Sequence, residues 1–285
     1  MTKIIDARGR PLALDPFYGS TPERANRIAW VNRRVGCTDP EHFVGANTLE
    51  DFLADARASG IDASLVIGRQ VPIANIANDR VAEVVSQDDS LIGVGAVDPS
   101  NPETGGVVGA VEEVRRSVET LGLQGINMDP GFGVDPMLPN DRRLYPVYAA
   151  CEGLGVPVFL MSGPLSGPTL EFTLPRHYAA VASDFPDLDV VVSHGAYPFV
   201  EEAVGAAFRN ERLYLSPDIY TFMPGGGTYI EGMSGVLAEQ FIFATGYPFR
   251  AMKQTVDEYR GLDLGEAAAS SVLHGNIERI LGLVT

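Results

Sequence analysis

Three consecutive valines, Val190, Val191 and Val192, stand between Pro186 and Gly195. A short run that is apolar at every position is buried on both faces. That is the habit of a strand in a parallel sheet covered by helices. The run closes on His194 and Gly195, then Tyr197-Pro198 opens a helical pattern over 199–208. A titratable group at the carboxyl end of a buried parallel strand is where α/β proteins place their chemistry. Taken alone, His194 is equally a core histidine that satisfies a buried backbone group, so the other strand ends decide.

Strand-like and helix-like patterns alternate along the whole chain. Strands are expected at 3–8, 63–68, 91–97, 124–128, 157–161, 187–195, 213–215 and 241–245. Helical patterns follow at about 77–87, up to 120, 142–154, 175–185, 199–208 and up to 239, with two more closing the chain. A long connection, 9–47, separates the first strand from its main helix and carries a helix of its own. Thr21-Pro22-Glu23 supplies the N-cap, first-turn proline and early acid of that helix, and Gly36 ends it. A connection of this length is commonly a lid or a subunit contact. Thr48-Leu49-Glu50-Asp51 resembles a capping box, and Gly60 closes the helix it starts. Eight buried strands each followed by a helix predict an α/β fold, a single (β/α)₈ TIM barrel over residues 1–285. An open doubly wound sheet alternates similarly, but no turn here carries G-x-G-x-x-G or a P-loop.

Charge narrows the function. There are 37 acidic residues against 21 basic, a formal net charge of −16, which opposes phosphate backbones and anionic lipid. No nucleic acid and no membrane partner is expected. Any cluster of arginines stands against this field. The two cysteines, Cys37 and Cys151, have neither disulfide nor metal-ligand spacing, which suits a reducing cytoplasm. No apolar signal region is read at the N-terminus, and no apolar run has the length of a membrane span.

In a barrel of this kind the site is assembled from the carboxyl ends of the strands. Side chains of one parity along each strand point into the mouth. On that reading the first strand offers Asp6, Arg8 and Arg10, the second Arg69, the fourth Asn127 and Asp129, and the fifth Met161. The sixth offers His194, the seventh Ser216 and Asp218, and the eighth Gly246. An ion pair with Arg8 is the plainer role for Asp6, which lies deepest.

Four segments carry a resemblance. They are Ile4-Ile5-Asp6-Ala7-Arg8-Gly9-Arg10-Pro11, Val158-Phe159-Leu160-Met161-Ser162-Gly163, Val191-Val192-Ser193-His194-Gly195 and Phe243-Ala244-Thr245-Gly246-Tyr247-Pro248-Phe249. In this order they resemble the amidohydrolase-related (amidohydrolase 2) TIM-barrel family. This branch of metal-dependent hydrolases and decarboxylases includes aminocarboxymuconate-semialdehyde decarboxylase. His274-Gly275-Asn276-Ile277-Glu278-Arg279 resembles the family's closing helix. The resemblance implies a His-x-His metal pair on the first strand, where this chain has Arg8 and Arg10. It implies a histidine where Met161 stands and an aspartate where Gly246 stands. The acid/base histidine of the sixth strand is matched by His194. Guanidinium, thioether and glycine do not ligate Zn²⁺, which takes imidazole, thiolate or carboxylate. No cofactor and no metal in the usual place is therefore expected.

Without a metal, an imidazole base and positioned cations suit an already reactive substrate, such as a lactone, an enol ester or a β-keto acid. The expectation is a metal-independent hydrolase or carboxy-lyase for a small anionic metabolite. Arg8 and Arg10, with Arg69, would bind a carboxylate or oxyanion, and Asn127, Tyr220 and Tyr247 would complete the pocket. His194 would be the general base, with Asp218 or Asp129 orienting it or trading protons with it. Two other classes stand beside it. One is a non-catalytic barrel that binds small anions. The other is a metal-dependent enzyme with a remodelled set such as His194, Asp129 and Asp218. A homo-oligomer, dimer or tetramer, is expected. His42 and His177 are read as solvated or capping residues, His274 as tying the last helix to the barrel bottom or the eighth loop, and Trp30 as a subunit contact. Arg142 and Arg143, within reach of an acidic neighbour or substrate, are left unassigned.

Overall fold

Each short apolar run forms a strand, and the hydrogen bonds that join them explain the architecture. The computed structural model describes residues 2–11, 14, 22–41 and 48–283. In chain order the strands are β1 (Ile5–Gly9), β2 (Ala63–Ile67), β3 (Arg69–Val71), β4 (Ala74–Ile76), β5 (Leu91–Ala96), β6 (Ile126–Met128), β7 (Val158–Met161), β8 (Val190–Ser193) and β9 (Leu213–Ser216). Seven of them make one parallel sheet in the order β1-β2-β5-β6-β7-β8-β9. β3 and β4 form a separate antiparallel hairpin that the sequence reading missed.

Residues 241–247 occupy the place of the expected eighth strand without forming one. Phe241 bridges to Leu215 and Tyr247 bridges to Gly9, so the segment bonds to both edges of the sheet. The amide of Ala7 donates to the Phe243 carbonyl at 3.1 Å, and that of Ile242 to the Leu215 carbonyl at 2.9 Å. A regular ladder fails because other groups take the backbone. The Phe243 amide donates to Val272 at 2.9 Å, and the Thr245 amide donates to the Asp6 carboxylate at 2.8 Å.

Two apolar layers line the sheet. Ile5, Ala7, Leu65, Ile67, Phe159 and Val191 belong to the inner one, whose far end is closed by Ile277 and Ile280. Val66, Val158, Leu160, Val190 and Val192 belong to the outer one, which packs on the helices. The helices are α1 (Pro22–Arg34), α2 (Leu49–Ser59), α3 (Asn78–Val85), α4 (Gly106–Arg115), α5 (Tyr145–Leu154), α6 (Pro175–Asp184), α7 (Val200–Arg209), α8 (Gly227–Ser234), α9 (Met252–Arg260), α10 (Glu266–Ser270) and α11 (Asn276–Ile280). The capping box at Thr48 and the left-handed Gly60 that ends α2 are both formed.

α1 is the helix expected inside the first long connection, and it lies over the mouth of the sheet. Val31 and Val35 pack on Ile219 and Tyr220. Asn32 donates from Nδ2 to the carbonyls of Pro248 and Phe249 at 3.2 and 2.6 Å. Gln254 on α9 ties down the chain just beyond, donating to the Gly36 carbonyl at 2.8 Å and accepting from the Thr38 amide at 2.9 Å.

Candidate active site

Neither His194 nor Asp6 reaches its place by strand parity. On β8 the inward side chains are Val191, in the inner apolar layer, and Ser193, which follows it by two. His194 would face outward if the strand continued. It turns into the mouth because the backbone breaks there: His194, Gly195 and Ala196 all take positive φ, at 65°, 63° and 62°. On β1 the inner layer takes Ile5 and Ala7, and the pairing with β2 shifts between Asp6 and Gly9. Asp6 therefore turns toward the 241–247 segment. Its carboxylate accepts from the Thr245 amide and hydroxyl and from the Arg8 amide, so its partner on Arg8 is the backbone and not the guanidinium.

His194 Nδ1 lies 2.7 Å from Asp218 Oδ1, and both side chains are nearly sealed from solvent. Asp218 also has positive φ, 38°. Non-glycine residues in the left-handed region cost of order 1–3 kcal/mol each and persist where the surroundings fix them. Here the fixing groups are Ser162, whose hydroxyl donates to Ser193 and accepts from the Ala196 amide, and Tyr229, which donates to the Gly195 carbonyl. The ring of Tyr220 meets His194 edge-on with centroids 5.6 Å apart, and Tyr197 stacks behind it at 4.8 Å. Burial lowers the His194 pKa below its ordinary value. Asp218 opposes the shift, while Arg8 and Arg10 add to it. The neutral imidazole that results donates from Nδ1 to Asp218, leaving Nε2 as the basic nitrogen.

Three buried guanidiniums share the mouth. Arg8 donates from Nη1 to Ser193 Oγ at 2.8 Å and from Nη2 to the Met161 sulfur at 3.2 Å. Arg10 donates from Nε to the Ile67 carbonyl at 3.1 Å. Arg69, at the start of the hairpin, pairs with Asp129 at 2.7 Å and lies over the Phe132 ring. Burial and the neighbouring Arg10 pull the Arg8 pKa down to about 10, so it remains a cation at neutral pH. Burial opposes ionisation of Asp129, yet Arg69, Arg10 and Arg8 together hold its pKa below the ordinary value. Burial pushes Asp6 the other way, toward its neutral form. Three guanidiniums thus share the mouth with the carboxylates of Asp129 and Asp218. Against a chain of net charge −16, the mouth is a local positive site.

Between α1, the hairpin and the strand ends lies a cavity of about 60 Å³. His194, Arg69, Tyr220, Met161 and Ser162 reach its wall, and the rest is largely apolar, with Ile28, Val31, Phe132, Leu165 and Ile219. Arg8, Arg10, Asn127, Asp129 and Asp218 are not in that wall and sit behind it. Asn127 donates to the Gly68 carbonyl at 3.3 Å. Tyr247 belongs to the outer apolar layer, edge-on to Phe52 at 5.3 Å. The sequence reading missed the hairpin that carries Arg69, and it missed Arg27, which α1 adds to the cavity wall. Arg27, Ile28 and Val31 share a helical face, a period legible in the sequence once α1 is taken as a cover.

The other flagged residues lie away from the cavity wall. His177 and His274 bond Glu171 and Glu278 at 3.0 and 2.6 Å. Arg143 pairs with Asp135 and Asp141, Arg142 lies over Tyr145, and Trp30 lies half-exposed beneath Arg34. His42 lies outside the described residues.

A parallel sheet carrying acids, arginines and one imidazole at its carboxyl ends defines an α/β-barrel enzyme class. A profile of the amidohydrolase family matches residues 38–283, and the chain belongs to that family. It is similar to 2-amino-3-carboxymuconate-6-semialdehyde decarboxylase of Dictyostelium discoideum, 23% identical over 248 residues, 74% of this chain and 67% of that protein. An uncharacterised TIM-barrel protein from Bordetella bronchiseptica superposes with a TM-score of 0.87 at 34% identity over 98% of both chains. A dihydroxybenzoic acid decarboxylase from Polaromonas sp. JS666, with bound manganese and the inhibitor 2-nitroresorcinol, superposes with a TM-score of 0.70 at 18% identity over 100% of this chain and 98% of that one.

The residues here do not fit such a metal. Among the described residues no three of His, Cys, Asp and Glu converge as a metal site. The altered set His194, Asp129 and Asp218 is split, because Asp129 belongs to Arg69. The Arg8 guanidinium spans from β1 to Ser193 and Met161, the very strand ends from which ligands would come. A side chain at Gly246 would place its Cβ 2.5 Å from Ile219 and 3.8 Å from the Asp218 carboxyl carbon. The carboxylate near that strand end comes from Asp218 on the neighbouring one.

Proposed function

We propose that this chain is a carboxy-lyase for a small carboxylated substrate and that it works without a metal ion. The observation that carries the reading is the His194 imidazole, set in the wall of a mostly apolar cavity beside Arg69 and held from behind by Asp218. Relatives named as decarboxylases support the choice of bond. The donor chemistry of Arg8, Arg10, Met161 and Gly246 supports metal independence.

The substrate carboxylate sits by Arg69, with Arg8 and Arg10 adding field from behind. The apolar wall strips it of water, and a carboxylate so placed sheds its charge by leaving as CO₂. The bond between the carboxyl group and its neighbouring carbon breaks. The electron pair stays on that carbon, spread into a ring or carbonyl of the substrate. His194 Nε2 takes a proton from a substrate hydroxyl, or from solvent where the substrate is a 3-oxo acid, and delivers it to the same carbon. Where the hydroxyl gave the proton, the oxygen left charged is held by the guanidinium field until solvent reprotonates it. One proton is consumed and one CO₂ released. Asp218 keeps the Nδ1 proton in place and stabilises the imidazolium between the two transfers. Ester or lactone hydrolysis would use the same base on water, but the dry lining favours loss of CO₂.

The test is CO₂ release from a panel of ortho-hydroxybenzoates and 3-oxo acids. Asparagine tolerates the left-handed backbone at 194, so His194→Asn keeps the fold. Its kcat is expected to fall by about 10²–10⁴, the range of general acid–base catalysis. Full turnover in that variant, or ester hydrolysis with no CO₂ from any acid, overturns the proposal.

A further inference from the structure

The two arginines of the cavity wall differ in kind. Arg69 is buried and already shares its charge with Asp129 at 2.7 Å. Arg27 is exposed, comes from the covering helix α1, and is paired with no carboxylate among the described residues. The described residues contribute no carboxylate to this wall at all. α1 is held in place by Asn32 and by the packing of Val31 and Val35, so Arg27 projects from a fixed support.

We infer that Arg27 determines specificity by binding a second carboxylate at the far end of the substrate, which is therefore a compact dicarboxylate. The inference rests on the reading of the cavity as a carboxylate site. A monocarboxylate held by the buried guanidiniums leaves Arg27 unmatched at the rim. A dicarboxylate meets a cation at each end, its reactive end against Arg69 and His194 and its distal end under α1. Loss of CO₂ then removes the inner charge, and the product keeps only the rim contact, which favours its release. The apolar residues between the two arginines, Ile28, Val31 and Ile219, fit the carbon chain or ring that separates the acids.

The test is calorimetric binding of two unreactive pairs, succinate with propionate and glutarate with butyrate. Each second member is the first without one carboxyl group. In the unaltered protein at least one diacid is expected to bind about tenfold tighter than its monoacid, as a charge-assisted contact provides. Arg27→Gln should remove that advantage and leave monoacid binding within about twofold, while Arg27→Lys should restore part of it. If Arg27→Gln weakens both members alike, leaves the diacid unchanged, or neither member binds, the inference falls. Failure of the lyase reading looks different. The Arg27-dependent preference would then persist, also in His194→Asn, while no acid releases CO₂.

Discussion

His194 enters the mouth only because three consecutive residues take left-handed backbone, and Asp218 meets it from a strained position of its own. The consequence is an imidazole shifted toward its neutral form. Burial, with Arg8 and Arg10, holds the imidazole pKa below 6.5 against the pull of Asp218. For the general-base role proposed above, the active form is the deprotonated one. The pH profile of kcat/KM should rise with pH, bend below 6.5 and run level through neutrality. A profile that falls as pH rises from 5 to 7 would mean that imidazolium is the working form. The sign for stability is the same. A histidine whose folded pKa is depressed contributes stability that is present above the unfolded value and lost as pH falls through the folded one. The histidine itself was visible in the sequence, since it followed three valines. The turn that aims it was not, because left-handed backbone at His and Ala has no signature in residue type.

At the scale of elements, the seven parallel strands were readable because each is a short apolar run with turn residues at its ends. The eighth run was equally apolar, yet residues 241–247 form only isolated bridges, because Asp6 and Val272 capture the amides that a ladder needs. Tertiary hydrogen bonds of that kind cannot be read from one segment. The hairpin escaped for the opposite reason: three-residue strands at Arg69–Val71 and Ala74–Ile76 are too short to show a period. Within the bridging segment, Gly246 has φ of 67° and a Cβ there would meet Ile219 at 2.5 Å. Gly246→Ala should therefore lower unfolding free energy by about 2–3 kcal/mol, combining backbone strain with overpacking. Urea unfolding checks this, and an unchanged midpoint would show that the segment adapts freely.

For the whole molecule, a net charge of −16 surrounds a mouth in which three guanidiniums face the carboxylates of Asp129 and Asp218. The long-range field repels an anionic substrate and the short-range field attracts it. Salt acts first on the longer range, because the Debye length is about 30 Å at 0.01 M and about 10 Å at 0.1 M. Raising ionic strength across that interval should increase kcat/KM for the acid substrate, whereas a decrease would place the attraction at long range. The fold was legible in the order of elements and in the resemblance it carried. The cavity was less so, because it depends on how α1 and the hairpin meet over the mouth.

In the proposed chemistry Arg8 stands where the family resemblance implies metal ligands, and His194 is left to move the proton. The direct measurement is CO₂ release by the purified protein before and after exhaustive chelation, with metal content determined on the same samples. The expected result is a rate unchanged by chelation, unchanged by added manganese or zinc, and lost in His194→Asn. A rate that disappears on chelation and returns in proportion to bound manganese would contradict it.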